Sequence, residues 1–420
     1  MKNGSALVMA LIIMVLVVML ATVGTQLMVT TQKWENLQAH SGAEADNVSR
    51  AGLIDAIAWF REQTSQPVCT GPGLNKWVDA AFYPRLSAAT TSNATIDENI
   101  GLVKEYSLEG GATTYGLCGR YEVRRQTATA TNLPSDPNYN KDAVHDVSGE
   151  RLFNGEQDGN GYIWSITSKG YIFRRLSASA AFNVAPNKII SSSKVSTEIR
   201  RITRQLDSTC AVIVNNGSNV TFKTMAKVRG SAGAIGYTTG SLTSAVVVAG
   251  SSATCVSGSL FPVLSHSHNV QYVLGVSTNE LRILADYVVN SVSDLPAAIP
   301  DMSLIYVNGD AVFGPSTNRT LSGSGLLFVY GNLTVNTMTL ENQFRGLIYC
   351  TGTATIQEGS LLRGTLVAYG GLTLSNDGAM QPAEIDYDSG MMTMVDAQIC
   401  RYREMKSTYR LFTGLSGYDK

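Results

Sequence analysis

Several groups of residues in this 420-residue chain have types and spacings that chemistry uses. In the phrase GEQDGNGYI, Glu156, Asp158 and Asn160 fall at alternate positions, with Gly161 to turn the backbone and Ile163 after it. That matches the first half of an EF-hand calcium loop. The second half departs from the pattern, because position twelve is Thr167 where a bidentate Glu belongs. A polar β-turn is therefore preferred, and no cofactor is expected, calcium at this loop being the one alternative. His266 and His268 point the same way in an extended segment, but no third ligand accompanies them, and a polar turn is preferred to a zinc site. Four acids recur in the C-terminal half: Asp310, Glu341, Glu358 and Asp377. They fall in unmatched rows, so no two are placed as acid and base on a glycan. No phosphate loop or nucleophile elbow is present. The chain reads as non-enzymatic.

Arginine doublets stand at Arg124–Arg125, Arg174–Arg175 and Arg200–Arg201. On strands, one member of each would face outward and make a basic stripe. With a net charge of -1, acids balance the total, so sheet-edge salt bridges are the expected role and nucleic acid is not an expected partner. The six cysteines are Cys69, Cys118, Cys210, Cys255, Cys350 and Cys400. None forms a CxxC or a zinc spacing. An even count in an exported chain fits up to three disulfides, with connectivity open; buried free thiols are the alternative.

The elements that must carry these residues follow from pattern. Length sets two or three domains as the prior. Only 15% of residues are charged, and 39 glycines among many Ser, Thr and Asn point to a β-rich body with many turns. The opening MKNGSALVMALIIMVLVVML is a cationic start before an uncharged run from Ser5 to Met28. At ~1.5 Å per residue that run can cross a hydrocarbon core of ~30 Å. It is long for a signal-peptide core and lacks a small-x-small cleavage site. Beyond it, Leu53, Ile54, Ile57 and Phe60 recur at helical steps, and the first proline is Pro67. One helix over 5–63 is expected, lipid-facing over 5–28 and amphipathic after that. A retained single-span anchor and a signal peptide are the alternatives.

A short cationic leader ending in glycine, then such a helix, resembles a type IV prepilin. The phrase GSALVMALIIMVLVVML is most similar to PilX-type minor pilins and the related K-type pseudopilins of type II secretion. The resemblance implies cleavage by a prepilin peptidase after Gly4 and N-methylation of Ser5. Major pilins place Phe at the first mature position and Glu at the fifth, where this chain has Ser5 and Met9. A buried carboxylate costs about 2.5–3.5 kcal/mol in lipid, and the resemblance implies that in major pilins it is met, on docking, by a neighbouring subunit's terminal amine. Its absence at Met9 suits a subunit at the filament tip.

Residues 64–207 read as an α+β domain. GRYEVRRQT, GYIWSITSKGYIFRRLS and SSKVSTEIRRITRQL alternate as antiparallel strands, and YIWSITSKGYI resembles the sheet of PilX- and K-type subunits. Further on, IYVNGDAVF, LFVYGNLTV, IYCTGTATI and LVAYGGLTL align on Gly309, Gly331, Gly352 and Gly370, at steps of 22, 21 and 18 residues. Ala311, Leu333, Ala354 and Leu372 become inward, and Val312, Thr334, Thr355 and Thr373 outward. VIVNNGSNVTF and VVVAGSSATC fit the same frame with one extra residue. A period near twenty marks a parallel β-helix or solenoid; an antiparallel meander is the alternative. Ser277 and Glu280 form a capping box opening a helical insertion. The closing PAEIDYDSGMM is similar to an IDYD phrase of large PilX-like proteins.

The expected fold class is thus α+β: a long N-terminal pilin helix, an antiparallel pilin-like sheet and a C-terminal β-solenoid-like domain. Expected domains are a leader 1–4, a helix 5–63, a pilin-like domain 64–207, a solenoid 208–400 with a helical insertion near 277–293, and a tail 401–420. The resemblance implies a subunit that primes or caps a filament. It would sit in the bacterial inner membrane with a periplasmic head, then on the extracellular filament. Its implied partners are other pilins, the prepilin peptidase and the inner-membrane assembly platform. Adhesion to a surface or glycan follows from exposure of the head alone. A membrane-anchored polysaccharide-active enzyme and a stationary periplasmic scaffold are the alternatives.

Overall fold

The computed structural model describes residues 40–63, 67–68, 101–109, 115–124, 140–149, 161–222, 226–242, 254–256, 261–296, 299–336, 342–375 and 383–413, with isolated positions 19 and 28. The chain divides into two compact units, Met1–Glu198 with Thr408–Lys420, and Ile199–Ser407.

The first unit is a helix on an antiparallel sheet. The helix, 40–62, lies against Gly101–Ser107, Gly116–Arg124 and Ile163–Arg175, which pair in that order and are followed in the sheet by Lys188–Arg201. Ala45 and Val48 bury against Tyr121 and Ile172. Near the helix end Phe60 meets Trp59 and Trp164 at ring distances of 5.0 and 5.1 Å. The sheet's other face carries charge: Arg120 bonds Glu105 at 2.5 Å and Glu122 at 2.8 Å, and Arg175 bonds Glu105 at 2.5 Å. All four side chains are about 1% exposed. Arg120 also lies 4.6 Å from the centre of the Phe182 ring. Ions so buried persist only when each is paired, as here.

The second unit is built from stacked parallel strands in two walls. One wall runs through Ser303–Val307, Ser322–Val329, Asn342–Cys350 and Ser360–Ala368; the other through Ala311–Phe313, Leu333–Val335, Thr353–Gln357 and Gly371–Ser375. Ala311, Leu333, Ala354 and Leu372 share one inward row, and Val312, Thr334, Thr355 and Thr373 the row beside it, as the glycine alignment places them. The apolar space between the walls is filled by Ile305, Leu327, Ile348 and Leu366 from one side and Phe313, Val335, Ile356 and Leu374 from the other. Asn342, fully buried, closes a turn: its carbonyl accepts from Leu321 N–H at 2.8 Å and its amide donates to Asn336 O at 3.0 Å.

Coil order does not follow chain order. Cys210–Asn216 and Val220–Phe222 stack on the last coil, pairing Val212 with Leu366 and Val220 with Leu372. Gly233–Thr239 then adds beyond Cys210–Asn216. Three short helices, Val270–Leu274, Thr278–Leu284 and Ser389–Gln398, cover the outside of the first wall. Thr278–Leu284 begins with the capping box of Ser277 and Glu280.

Two expectations are corrected. The α+β class built on a 5–63 helix gives way to a mostly β chain, in which the helix described in that region is 40–62. That helix carries Glu44, Asp46, Arg50, Asp55, Arg61 and Glu62, so it suits a sheet face and not lipid. Among the described residues no helix is long and apolar enough to cross a membrane, so the inner-membrane placement loses its structural basis. Gly4, Ser5 and Met9, with the run around them, lie outside the described residues.

Candidate functional site

The outward side of the first wall is split by a row of glycines. Gly325, Gly346 and Gly364 pair in register with φ of 133°, 133° and 132°. A Cβ on any of them would strike the carbonyl of the coil beneath, so only glycine fits. On the C-terminal side of this row the outward residues are apolar. Tyr306, Phe328 and Tyr349 stack there at 5.0 and 5.4 Å beneath the short helices. On the N-terminal side no helix among the described residues covers the wall, and the outward residues are polar or charged apart from Leu361.

Strand register sets that polar side in two rows. One row runs Ser324, Arg345, Arg363, Asp386, Arg229. The other runs Ser322, Gln343, Leu361, Glu384, Lys227. The inward neighbours Phe344, Leu362, Ile385 and Val228 belong to the core, which fixes the outward direction of the residues between them. Ala383–Asp386 is held between Ser360–Ala368 and Lys227–Arg229, so the acids and bases come from three separate stretches of chain.

Arg229 Nη1 bridges the two acids, 2.8 Å from Glu384 and 3.5 Å from Asp386. The Oδ1 atom of Asp386 is buried and has no hydrogen-bond partner among the described residues. Burial and then the Glu384 charge push the Asp386 carboxyl above the usual range, against the opposing pull of Arg229, Arg363 and Lys227. Arg345 and Arg363 are exposed and side by side, and neither makes an ion pair among the described residues. Two adjacent guanidinium groups offer planar donor forks for carboxylate, sulfate or phosphate, and the acids beside them can accept from hydroxyl groups.

The residues singled out from sequence are placed differently. Asp310 accepts from Asn332 N–H at 2.7 Å in a turn, Glu358 sits in another turn, and Glu341 and Asp377 lie outside the described residues. Glu156, Asp158 and Asn160 also lie outside them. The histidines separate. His266 is exposed and bonds Asp207 through its backbone N–H and its Nδ1, each at 3.0 Å, and its ring stacks on Tyr272 at 4.9 Å. His268 is buried, and its Nε2 accepts from Asp207 N–H at 3.2 Å. Burial alone would raise Asp207, but bonds from Tyr272 and His266 outweigh it and hold the carboxyl below the usual range. Burial pulls His268 down. Among the described residues no three His, Cys, Asp or Glu side chains are gathered for a metal.

The arginine doublets split between interior and surface. Arg175 turns inward to Glu105, and Arg200 turns inward to Glu280 and Gly275 O, while Arg124 pairs with Glu122. No disulfide joins the described cysteines; Cys210, Cys350 and Cys400 are buried thiols in separate core positions. Cys69 lies outside the described residues, and Cys255 falls in Thr254–Val256. The charged face had one sequence signal that the glycine-anchored repeat does not use: NQFRGL and SLLRGTL both carry Arg-Gly, at Arg345–Gly346 and Arg363–Gly364.

No protein-family model matches the chain, and no curated protein does. Among solved structures, the chain is similar to the competence-associated pilin ComZ from Thermus thermophilus, at 11% identity over 89% of this chain and 98% of that one. The TM-score is 0.24, and a likeness at that level carries no argument about this chain.

Proposed function

We propose that the chain is a minor subunit of a type IV pilus-like filament, which primes or caps the filament and displays its solenoid as a non-catalytic head. The observation that carries this reading is the leader MKNG followed by an uncharged run from Ser5 to Met28. Cleavage behind Gly4 would free Ser5, and Met9 in place of an acid suits a terminal subunit. The amphipathic helix 40–62, packed on an antiparallel sheet, supports the same reading. Its partners would then be other pilins, the prepilin peptidase and the assembly platform. The test is N-terminal sequencing of the chain from cells with and without that peptidase. A start at Ser5 that depends on the peptidase is expected. An intact Met1 in peptidase-competent cells, or absence from sheared fibres, ends the proposal.

A second reading, a polysaccharide-active enzyme, is favoured by one observation: the raised carboxyl of Asp386 stands beside Glu384. Release of reducing ends from an acidic glycan by the purified chain, abolished by Asp386→Asn, would replace the display reading.

A further inference from the structure

We propose that the polar half of the first wall is a binding face for an acidic polysaccharide, whose charged groups dock on Arg345 and Arg363 and whose hydroxyls bond the neighbouring acids. The proposal holds whether or not the chain enters a filament.

The first argument is the excess of positive charge. Arg345 and Arg363 are direct register partners on parallel strands, which lie about 4.8 Å apart. Like charges side by side on a sheet are destabilising. Arg229 bridges both acids, and Arg363 feels the charge of its register partner Asp386 without an ion-pair contact, so Arg345 stands furthest from any acid of these rows. Among the described residues neither arginine of the pair forms an ion pair, and two forks at that spacing can each take a carboxylate or sulfate from outside.

The second argument is the shape of the charge. The face carries Arg345, Arg363, Arg229 and Lys227 against Glu384 and Asp386, four cations to two anions, on a chain whose net charge is -1. A nucleic-acid backbone presents an unbroken line of phosphates, and Glu384 and Asp386 within the same rows would repel it. A glycan alternates acidic groups with hydroxyls. Its hydroxyls can donate to Asp386 and Glu384, and can also bond the exposed Ser322 and Gln343.

The third argument is rigidity. Each of these side chains stands on a strand hydrogen-bonded on both sides, with its inward neighbours locked in the core. A preset row spends little ordering entropy on binding an extended polymer.

The experiment uses the full chain and titrates it by calorimetry with oligogalacturonate, with heparin, with neutral dextran and with single-stranded DNA. Binding to oligogalacturonate or heparin is expected, without binding to dextran and with weaker binding to DNA. The first two ligands separate a carboxylate preference from a sulfate preference. The R345A/R363A variant should lose about tenfold or more in affinity, while R174A, at an exposed arginine of the first unit, should not change it. Circular dichroism checks folding, and the single variants R345Q and R363Q carry the test if the double variant is unfolded. DNA binding equal to or tighter than glycan binding overturns the proposal, as does full affinity in R345A/R363A or no binding to either acidic glycan.

Discussion

Gly170 lies against the backbone of Ser49: a Cβ added to Gly170 would stand 2.5 Å from the Ser49 amide nitrogen. The helix 40–62 therefore sits on Ile163–Arg175 at a separation that only a glycine allows. Gly170→Val should cost about 1–3 kcal/mol by overpacking, and more if the helix lifts from the sheet. Chemical denaturation followed by the fluorescence of Trp59 and Trp164, which meet Phe60 near the end of the same helix, measures the loss. An unchanged midpoint would show that the helix is not seated there.

Arg120→Leu should be more damaging than its lone position suggests. The change removes the cation between Glu105 and Glu122, which accept from it at 2.5 and 2.8 Å in a site about 1% exposed, and leaves them with Arg175 and the more exposed Arg124 respectively. Removing one partner of a buried ion pair costs about 3–5 kcal/mol. Urea denaturation reads the value, and a cost below about 1 kcal/mol would mean that the glutamates find water.

Asn342→Ala removes a buried turn clasp from the solenoid. Leu321 N–H and Asn336 O lose their partners together. Each unsatisfied group costs about 1–3 kcal/mol, so the second unit should melt well below the wild type in calorimetry. Asn342→Asp keeps the acceptor for Leu321 but not the donor for Asn336, and should fall between the two.

Two groups of the second unit should shape its pH response with opposite signs: Asp386, held high, adds stability as pH falls, and His268 removes it. Burial holds the His268 imidazole below the ordinary value, so the unfolded chain takes up a proton before the folded one does. Its contribution is complete above about pH 6.5 and declines as pH falls below that. Asp207, held low, loses its own contribution only below about pH 4. Melting curves between those limits should show a larger loss on acidification for the wild type than for His268→Asn. Equal slopes would assign the response elsewhere.

Cys350 and Cys400 should be inert to thiol reagents at pH 8. Burial pushes each thiol up to about 12, so little reactive thiolate forms. Cys210, raised by the same cause, should behave alike. Maleimide labelling read by mass spectrometry should mark none of the three in the folded protein and all three in guanidinium. Recovery of any of them as a disulfide under non-reducing conditions contradicts the structure.

Local pattern carried the repeat. Period two set Leu333 inward and Thr334 outward, and the glycine anchors set the register that pairs them with Ala354 and Thr355. The Ser277–Glu280 capping box was legible for the same reason, since both partners lie within one turn. The buried ion network was not legible. Arg175 meets Glu105 across 70 positions, and a sequence reader assigns such charges to solvent. The charged face was hidden similarly: Asp386 and Arg229 lie outside the regular repeat and reach Arg363 only through strand pairing. The single 5–63 helix was joined from two patterns, an apolar run and an amphipathic one; the amphipathic part is seen as the sheet-packed helix 40–62, and the long pilin helix is not seen among the described residues.

The docking of Cys210–Asn216 on Ser360–Ala368 has a consequence for biosynthesis. The earliest coil to leave the ribosome has its lower neighbour some hundred and fifty residues downstream, as the Val212–Leu366 pairing shows. Its edge must wait, bare, while the later coils are made, a long-range closure that is intrinsically slow and open to aggregation. Truncations ending before residue 360 should therefore leave a sticky nascent segment, and a chaperone would find its main client in the opening coil and not in the growing end.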